Sequence, residues 1–246
     1  WKGWDRALAR WVALKFLHQD DPRQVERFRR EAQTAAALSH PNVAGVYEVG
    51  ESNGKPYIAM QFVEGQTLQT FPRGDVRAIA GLVRDAALGL QHAHEKGVIH
   101  RDLKPANLMV EGARVFVMDF GLAKATSVDS SLSVSGAVLG TPAYMPPEQA
   151  RGQTARVSPA SDVYSLGATL YELLTDRAPF HGADVYALLA RVVDQDPLPP
   201  RRIRPSIDQP RPVDPRLAST GSSSAGSPRR ARRRPAAWPS SAIRIS

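Results

Sequence analysis

The sequence predicts an α+β fold, with strands concentrated near the N-terminus and helices dominating the rest. Three observations predict it. Residues 10–17, 43–49 and 56–63 are short apolar runs carrying β-branched and aromatic residues, as strands require. Residues 75–95 and the segments that begin near 21, 158 and 183 instead repeat apolar side chains every three to four positions, the period of amphipathic helices. Past Pro197 neither period continues.

Arg-Trp-Val-Ala-Leu-Lys-Phe-Leu at 10–17 reads as a buried strand. Asp21-Pro22 then opens a helix, with Asp21 as N-cap, Pro in the first turn and Gln24 at the capping-box position. Val25, Phe28, Ala32 and Ala35 form its apolar stripe, Glu31 lies on the stripe's edge, and His40-Pro41 ends it. The turn Ser52-Asn53-Gly54 joins the next two strands. Val76, Ile79, Val83, Ala86, Leu90 and Ala93 mark the long helix at 75–95. Short strands and loops follow from Gly97 to about 145. Ser158-Pro159 then starts a helix with Leu166, Leu170 and Leu173 at helical spacing, and another fits 183–194.

A chain of 246 residues suits one large domain or two small ones. No apolar run approaches the ~20 residues a membrane helix needs, so no membrane anchor is read here. The absence of cysteine excludes disulfides and thiolate metal sites, and it fits a reducing compartment. The net charge of +8 belongs to the tail: residues 201–246 hold 11 Arg, no Lys and two acids, leaving a balance of −1 in residues 1–200. That argues against nucleic acid as the partner of the globular body. The Pro-, Arg- and Ser-rich tail reads as disordered, and its composition is what a shifted reading frame in GC-rich DNA would give.

Four segments stand out, and their order matters more than any one of them. They are Val12-Ala13-Leu14-Lys15, Glu31 on the following helix, His100-Arg101-Asp102-Leu103-Lys104-Pro105-Ala106-Asn107, and Asp119-Phe120-Gly121. Alone, Lys15 is an ordinary snorkelling lysine, Glu31 a helix-flank residue and Asp-Phe-Gly a turn. The octapeptide at 100–107 is too specific for that treatment.

This set resembles the signature of protein kinases, and in particular the eukaryotic-like serine/threonine kinases of bacteria, from residue 1 to about 200. The resemblance implies a bilobal fold, with an incomplete small β-rich N-lobe at about 1–63, a mostly helical C-lobe at about 64–200 and a separate tail at 201–246. It implies phosphoryl transfer from ATP, with Mg²⁺, to Ser or Thr hydroxyls of protein substrates. Lys15 would bind the phosphates, held by an ion pair with Glu31. Asn107 and Asp119 would offer Mg²⁺ hard oxygen ligands. Asp102 would orient and deprotonate the acceptor hydroxyl, and Lys104 would neutralise charge in flight.

Further implications come from the same resemblance. Residues 59–65 match the hinge, with Met60 as gatekeeper and backbone groups of Gln61 and Val63 meeting adenine. Residues 140–148 match the end of the activation segment, Asp162 would brace the catalytic loop, and His100 would pack on Phe120. Lys104 and Thr141 point to a serine/threonine rather than a tyrosine kinase. Arg101 suggests control by phosphorylation among Thr126, Ser127, Ser130, Ser131, Ser133 and Ser135. The compartment implied for the domain is the cytoplasm, with membrane tethering open for a longer protein. A catalytically impaired fragment or pseudokinase-like binding module is the alternative; the presence of Lys15, Asp102, Asn107 and Asp119 favours an enzyme.

The sequence also departs from the family. The glycine-rich loop is expected just upstream of Trp1, and the tail stands where further helices would supply an Arg for Glu148. Pro146 replaces the usual Ala. The six histidines invite a metal site, but His92 and His94 point about 200° apart around their helix, and structural roles are expected for all six.

Overall fold

Alternating burial along residues 10–16 makes this segment a central strand of an antiparallel sheet. The computed structural model describes residues 1–17, 21–120 and 142–208, and the backbone of 243–245. Strands β1 (Lys2–Asp5), β2 (Arg10–Phe16), β3 (Val46–Ser52) and β4 (Lys55–Gln61) lie in the order β3-β4-β2-β1. Val12 and Leu14 bury one face of β2 against Tyr57 and Ala59. Ala13 and Lys15 stand opposite Met60 and Ile58 and share the other face, because side chains alternate along a strand. That second face receives Phe28 and Ala32 of helix α1 (Pro22–Ala36).

Local chemistry sets the ends of these elements. Asp21 caps α1 by accepting the Arg23 N–H at 2.9 Å. Ser52 pairs with Lys55, so Asn53 and Gly54 form a two-residue turn with φ of 52° and 75°. Two consecutive left-handed residues define a type I′ hairpin, which Asn-Gly adopts at least cost.

Helices α2 (Val76–Glu95) and α4 (Pro159–Thr175) form the second body of the molecule, with the short α3 (Pro147–Ala150) preceding α4. Ile79, Leu82, Ala86 and Leu90 of α2 share one core with Leu166 and Leu173 of α4. The small sheet of β5 (Gln66–Thr67), β6 (Leu108–Glu111) and β7 (Arg114–Val117) closes that core through Leu108, Val115 and Val117. Helix α5 (Val185–Asp194) follows.

The connector between α1 and β3 is fastened to β7. Ala44 N–H donates to Val117 O at 3.0 Å, Val117 N–H to Asn42 O at 2.8 Å, and Asn42 Nδ2 to Val115 O at 2.9 Å. Gly89 of α2 lies beneath this crossing, where a Cβ would come within 3.0 Å of the Asn42 carbonyl.

Order extends past the boundary expected at about 200. Helix α6 (Pro200–Ile203) and a 3-10 turn at Pro205–Asp208 follow it. Arg204 holds them by donating to Leu174 O at 3.2 Å and Gly74 O at 3.3 Å. An apolar-period reading does not register such side-chain bonds to backbone carbonyls. Residues 209–242 lie outside the described set, but β8 (Ile243–Ile245) pairs antiparallel with β1, so the tail is not uniformly without structure. No described helix is long and apolar enough to cross a membrane.

Candidate active site

Ser158 and Pro159 start α4 so that Asp162 falls in its first turn, at 0% exposure. A carboxylate buried so fully needs several donors. It has them: His100 N–H at 2.8 Å on Oδ2, Arg101 N–H at 2.9 Å on Oδ1, and His94 Nε2 at 2.7 Å on Oδ2. The loop at 100–107 is thereby hung from α4. Arg101 takes a φ of 69°, and its carbonyl accepts from Gln149 Nε2 at 3.1 Å.

His100, also fully buried, fixes the next link. Its Nδ1 accepts the Asp102 N–H at 3.3 Å while its Nε2 faces the Met118 carbonyl at 2.8 Å, which assigns a neutral ring protonated on Nε2. The ring packs on Phe120 with centroids 4.9 Å apart. His100 therefore ties the 100–107 loop to the segment carrying Asp119.

Two side chains converge on Asp102. Lys104 Nζ donates to Asp102 Oδ2 at 2.8 Å. Asn107 Nδ2 donates to the Asp102 carbonyl at 2.7 Å and to Oδ2 at 3.2 Å. Both acceptors demand the amide nitrogen, so Asn107 Oδ1 is left as an outward acceptor. Met118 N–H donates to Asn107 O at 2.9 Å, placing Asp119 one residue from that contact.

Lys15 reaches this group from the other body of the molecule, with Nζ 3.2 Å from Asp119 Oδ2. The expected ion pair between Lys15 and Glu31 is not formed. Lys15 takes Asp119 instead, and Glu31 accepts from Arg27 Nε at 3.4 Å, one helical turn back. Each charge has found a carboxylate or guanidinium nearer than the other.

At the hinge, Met60 is 5% exposed and packs with Ile58, Phe28 and Ala32. Gln61 N–H donates to the Gly45 carbonyl at 2.8 Å, so only its carbonyl side remains for a ligand. The Val63 carbonyl accepts from Gly65 N–H at 3.1 Å, and among the described residues no acceptor takes the Val63 N–H. Gly121, Thr126, Ser127, Ser130, Ser131, Ser133, Ser135, Gly140 and Thr141 lie outside the described residues.

The sequence matches the family described as Protein kinase domain over residues 1–221. The chain belongs to the protein kinase family. The Serine/threonine-protein kinase PknB of Mycolicibacterium smegmatis is 45% identical over 221 residues, covering 83% of this chain and 35% of that protein. PknB of Mycobacterium tuberculosis is 46% identical over 211 residues, covering 80% and 33%. The chain thus spans about a third of the length of the curated relatives it matches. In structure it resembles the crystallised PknI kinase domain of Mycobacterium tuberculosis, a cysteine-to-alanine mutant. The TM-score is 0.59 and the identity 28%, over 80% of this chain and 72% of that one.

Within this kinase domain, two contacts had no signal in the sequence. His94 joins Asp162 across 68 positions, and Glu148 accepts from Ser161 Oγ, the hydroxyl that also accepts Ser158 N–H at 3.0 Å. A serine in the first turn of α4 thus occupies the Glu148 carboxylate, for which an arginine from later helices was expected.

Proposed function

We propose that the chain is the catalytic part of a protein serine/threonine kinase, moving the γ-phosphoryl group of ATP to Ser or Thr hydroxyls of proteins. The observation that carries this is the convergence on Asp102: a carboxylate held by Lys104 and Asn107, on a loop hung from buried Asp162. Acceptor hydroxyls need such a carboxylate in hydrogen-bond reach. Lys104, already 2.8 Å from it, stands where charge on a transferring phosphoryl group would be neutralised.

The residues present suit both implied partners. Asn107 Oδ1 and the Asp119 carboxylate are hard oxygen donors. Such donors suit Mg²⁺, which keeps waters and substrate phosphates as its other ligands. When bound, Mg²⁺ supplies charge neutralisation on the phosphates. The Val63 N–H and the Gln61 carbonyl suit the donor and acceptor edge of adenine beside Met60. Lys15 leaves Asp119 to bind phosphate oxygens, and Glu31 then turns from Arg27 to steady it.

The test is transfer from labelled ATP to a generic protein by this chain, Lys15→Met and Asp102→Asn. Transfer by the parent alone is expected. Equal background in all three overturns the enzyme reading, and nucleotide binding without transfer would favour a kinase-like binding module.

A further inference from the structure

The peptide unit immediately ahead of Asp102 is gripped on both sides by side chains. Arg101 has a φ of 69°, which costs a residue with a Cβ and persists only where its surroundings over-determine it. Asp162 Oδ1 accepts the Arg101 N–H at 2.9 Å, and the Arg101 carbonyl accepts from Gln149 Nε2 at 3.1 Å. The N–H of that same peptide unit, belonging to Asp102, donates to His100 Nδ1 at 3.3 Å. A trans peptide is rigid, and its C=O and N–H point opposite ways. A donor on one side and an acceptor on the other therefore hold the plane against turning. Among the described residues Gln149 is the one donor to that carbonyl.

Gln149 is itself anchored. It lies in α3, where its own N–H donates to Pro146 O at 3.0 Å. Its neighbour Glu148 accepts from Ser161 Oγ, and the neighbour of Ser161 is Asp162. The contacts close on themselves: Ser161 to Glu148, along the chain to Gln149, across to Arg101, and back to Asp162. Two adjacent residues of α4 thus fix both the loop and the short helix that steers it.

We propose that Gln149 is a positioning residue for phosphoryl transfer. Through the Arg101 carbonyl it sets the peptide plane from which Asp102 departs, and so the direction of the Asp102 carboxylate. This rests on the reading of Asp102 as the group that receives the proton of the acceptor hydroxyl. Lys104 and Asn107 hold the carboxylate itself, so losing Gln149 misdirects Asp102 without releasing it.

Gln149→Met keeps the length of the side chain and removes its donor, and Gln149→Lys restores a donor. Hydrogen exchange followed by NMR in the full chain reads the peptide unit directly. The Asp102 amide should exchange about three- to tenfold faster in Gln149→Met, while the Arg101 amide, held by Asp162, stays as in the parent. In the transfer assay kcat should fall by a similar factor, with KM for ATP and the thermal midpoint close to the parent. Gln149→Lys should recover both exchange and kcat. Unchanged Asp102 exchange in Gln149→Met overturns the proposal, as does a parental kcat despite faster exchange. Equal loss of protection at Arg101 and Asp102, or equal loss of kcat in Gln149→Met and Gln149→Lys, also overturns it by making Gln149 a packing residue. A parent no more active than Asp102→Asn would instead overturn the kinase reading, and Asp102 exchange would still decide whether Gln149 holds the peptide.

Discussion

Lys15 Nζ and Asp119 Oδ2 lie 3.2 Å apart, so the lysine expected on phosphate oxygens rests on the carboxylate expected to carry the metal. Both side chains keep about a third of their surface in solvent, 28% and 31%. The pair therefore contributes little to stability, about 1 kcal/mol or less. Lys15→Met should leave the unfolding midpoint within that margin and lower phosphoryl transfer on the order of a hundredfold or more. Thermal denaturation beside a transfer assay separates the two effects. A large loss of stability would mean that the pair is structural.

Asp162 should behave in the opposite way. Its carboxylate is buried and accepts the His100 and Arg101 N–H groups along with His94. Asp162→Ala leaves those donors without an acceptor and should cost about 3–5 kcal/mol in urea unfolding. Asp162→Asn keeps one oxygen and should cost less. A wild-type urea midpoint for Asp162→Ala would show that the loop is held by something else.

Ser161 serves two groups at once, accepting Ser158 N–H and donating to Glu148. Ser161→Ala removes a helix-end bond and strands the Glu148 carboxylate. Calorimetry should record a loss of about 1–2 kcal/mol. A neutral result would mean that water replaces the hydroxyl.

His40 and His92 stack with centroids 5.4 Å apart, and each ring nitrogen accepts a backbone N–H of the same connector. Burial, then the neighbouring His92, lowers the His40 pKa. A histidine with a lowered folded pKa binds its proton first in the unfolded chain. Its contribution is therefore complete above the unfolded value of about 6.5 and declines as pH falls from there toward the lowered folded value. Denaturant midpoints measured between pH 7.5 and about pH 5 should fall in the parent. His40→Asn, which keeps an acceptor at the Nδ1 position without titrating there, should flatten that fall. An unchanged slope would remove His40 from the account.

Much of the fold and of the site was legible because their determinants are local. Asp21 before Pro22, Asn53-Gly54 in a two-residue turn and the apolar stripe of 75–95 each specify an element from within it. The octapeptide at 100–107 likewise brings Asp102, Lys104 and Asn107 together within a few residues. What the sequence did not reveal depends on distance along the chain. Lys15 meets Asp119 across more than a hundred residues, and Asp119 competes with Glu31 for the same cation. Arg204 satisfies carbonyls of Leu174 and Gly74, a device with no periodicity to detect. The pairing of Ile243–Ile245 with β1 joins backbone segments at opposite ends of the given sequence, and side-chain patterns do not encode that.

The fastening of Asn42 and Ala44 to Val117 constrains how the two bodies of the molecule can swing. The connector there is clamped to β7 and lies hard against Gly89 of α2. The same strand leads to Asp119 two residues later, so the carboxylate proposed to hold the metal sits beside this clamp.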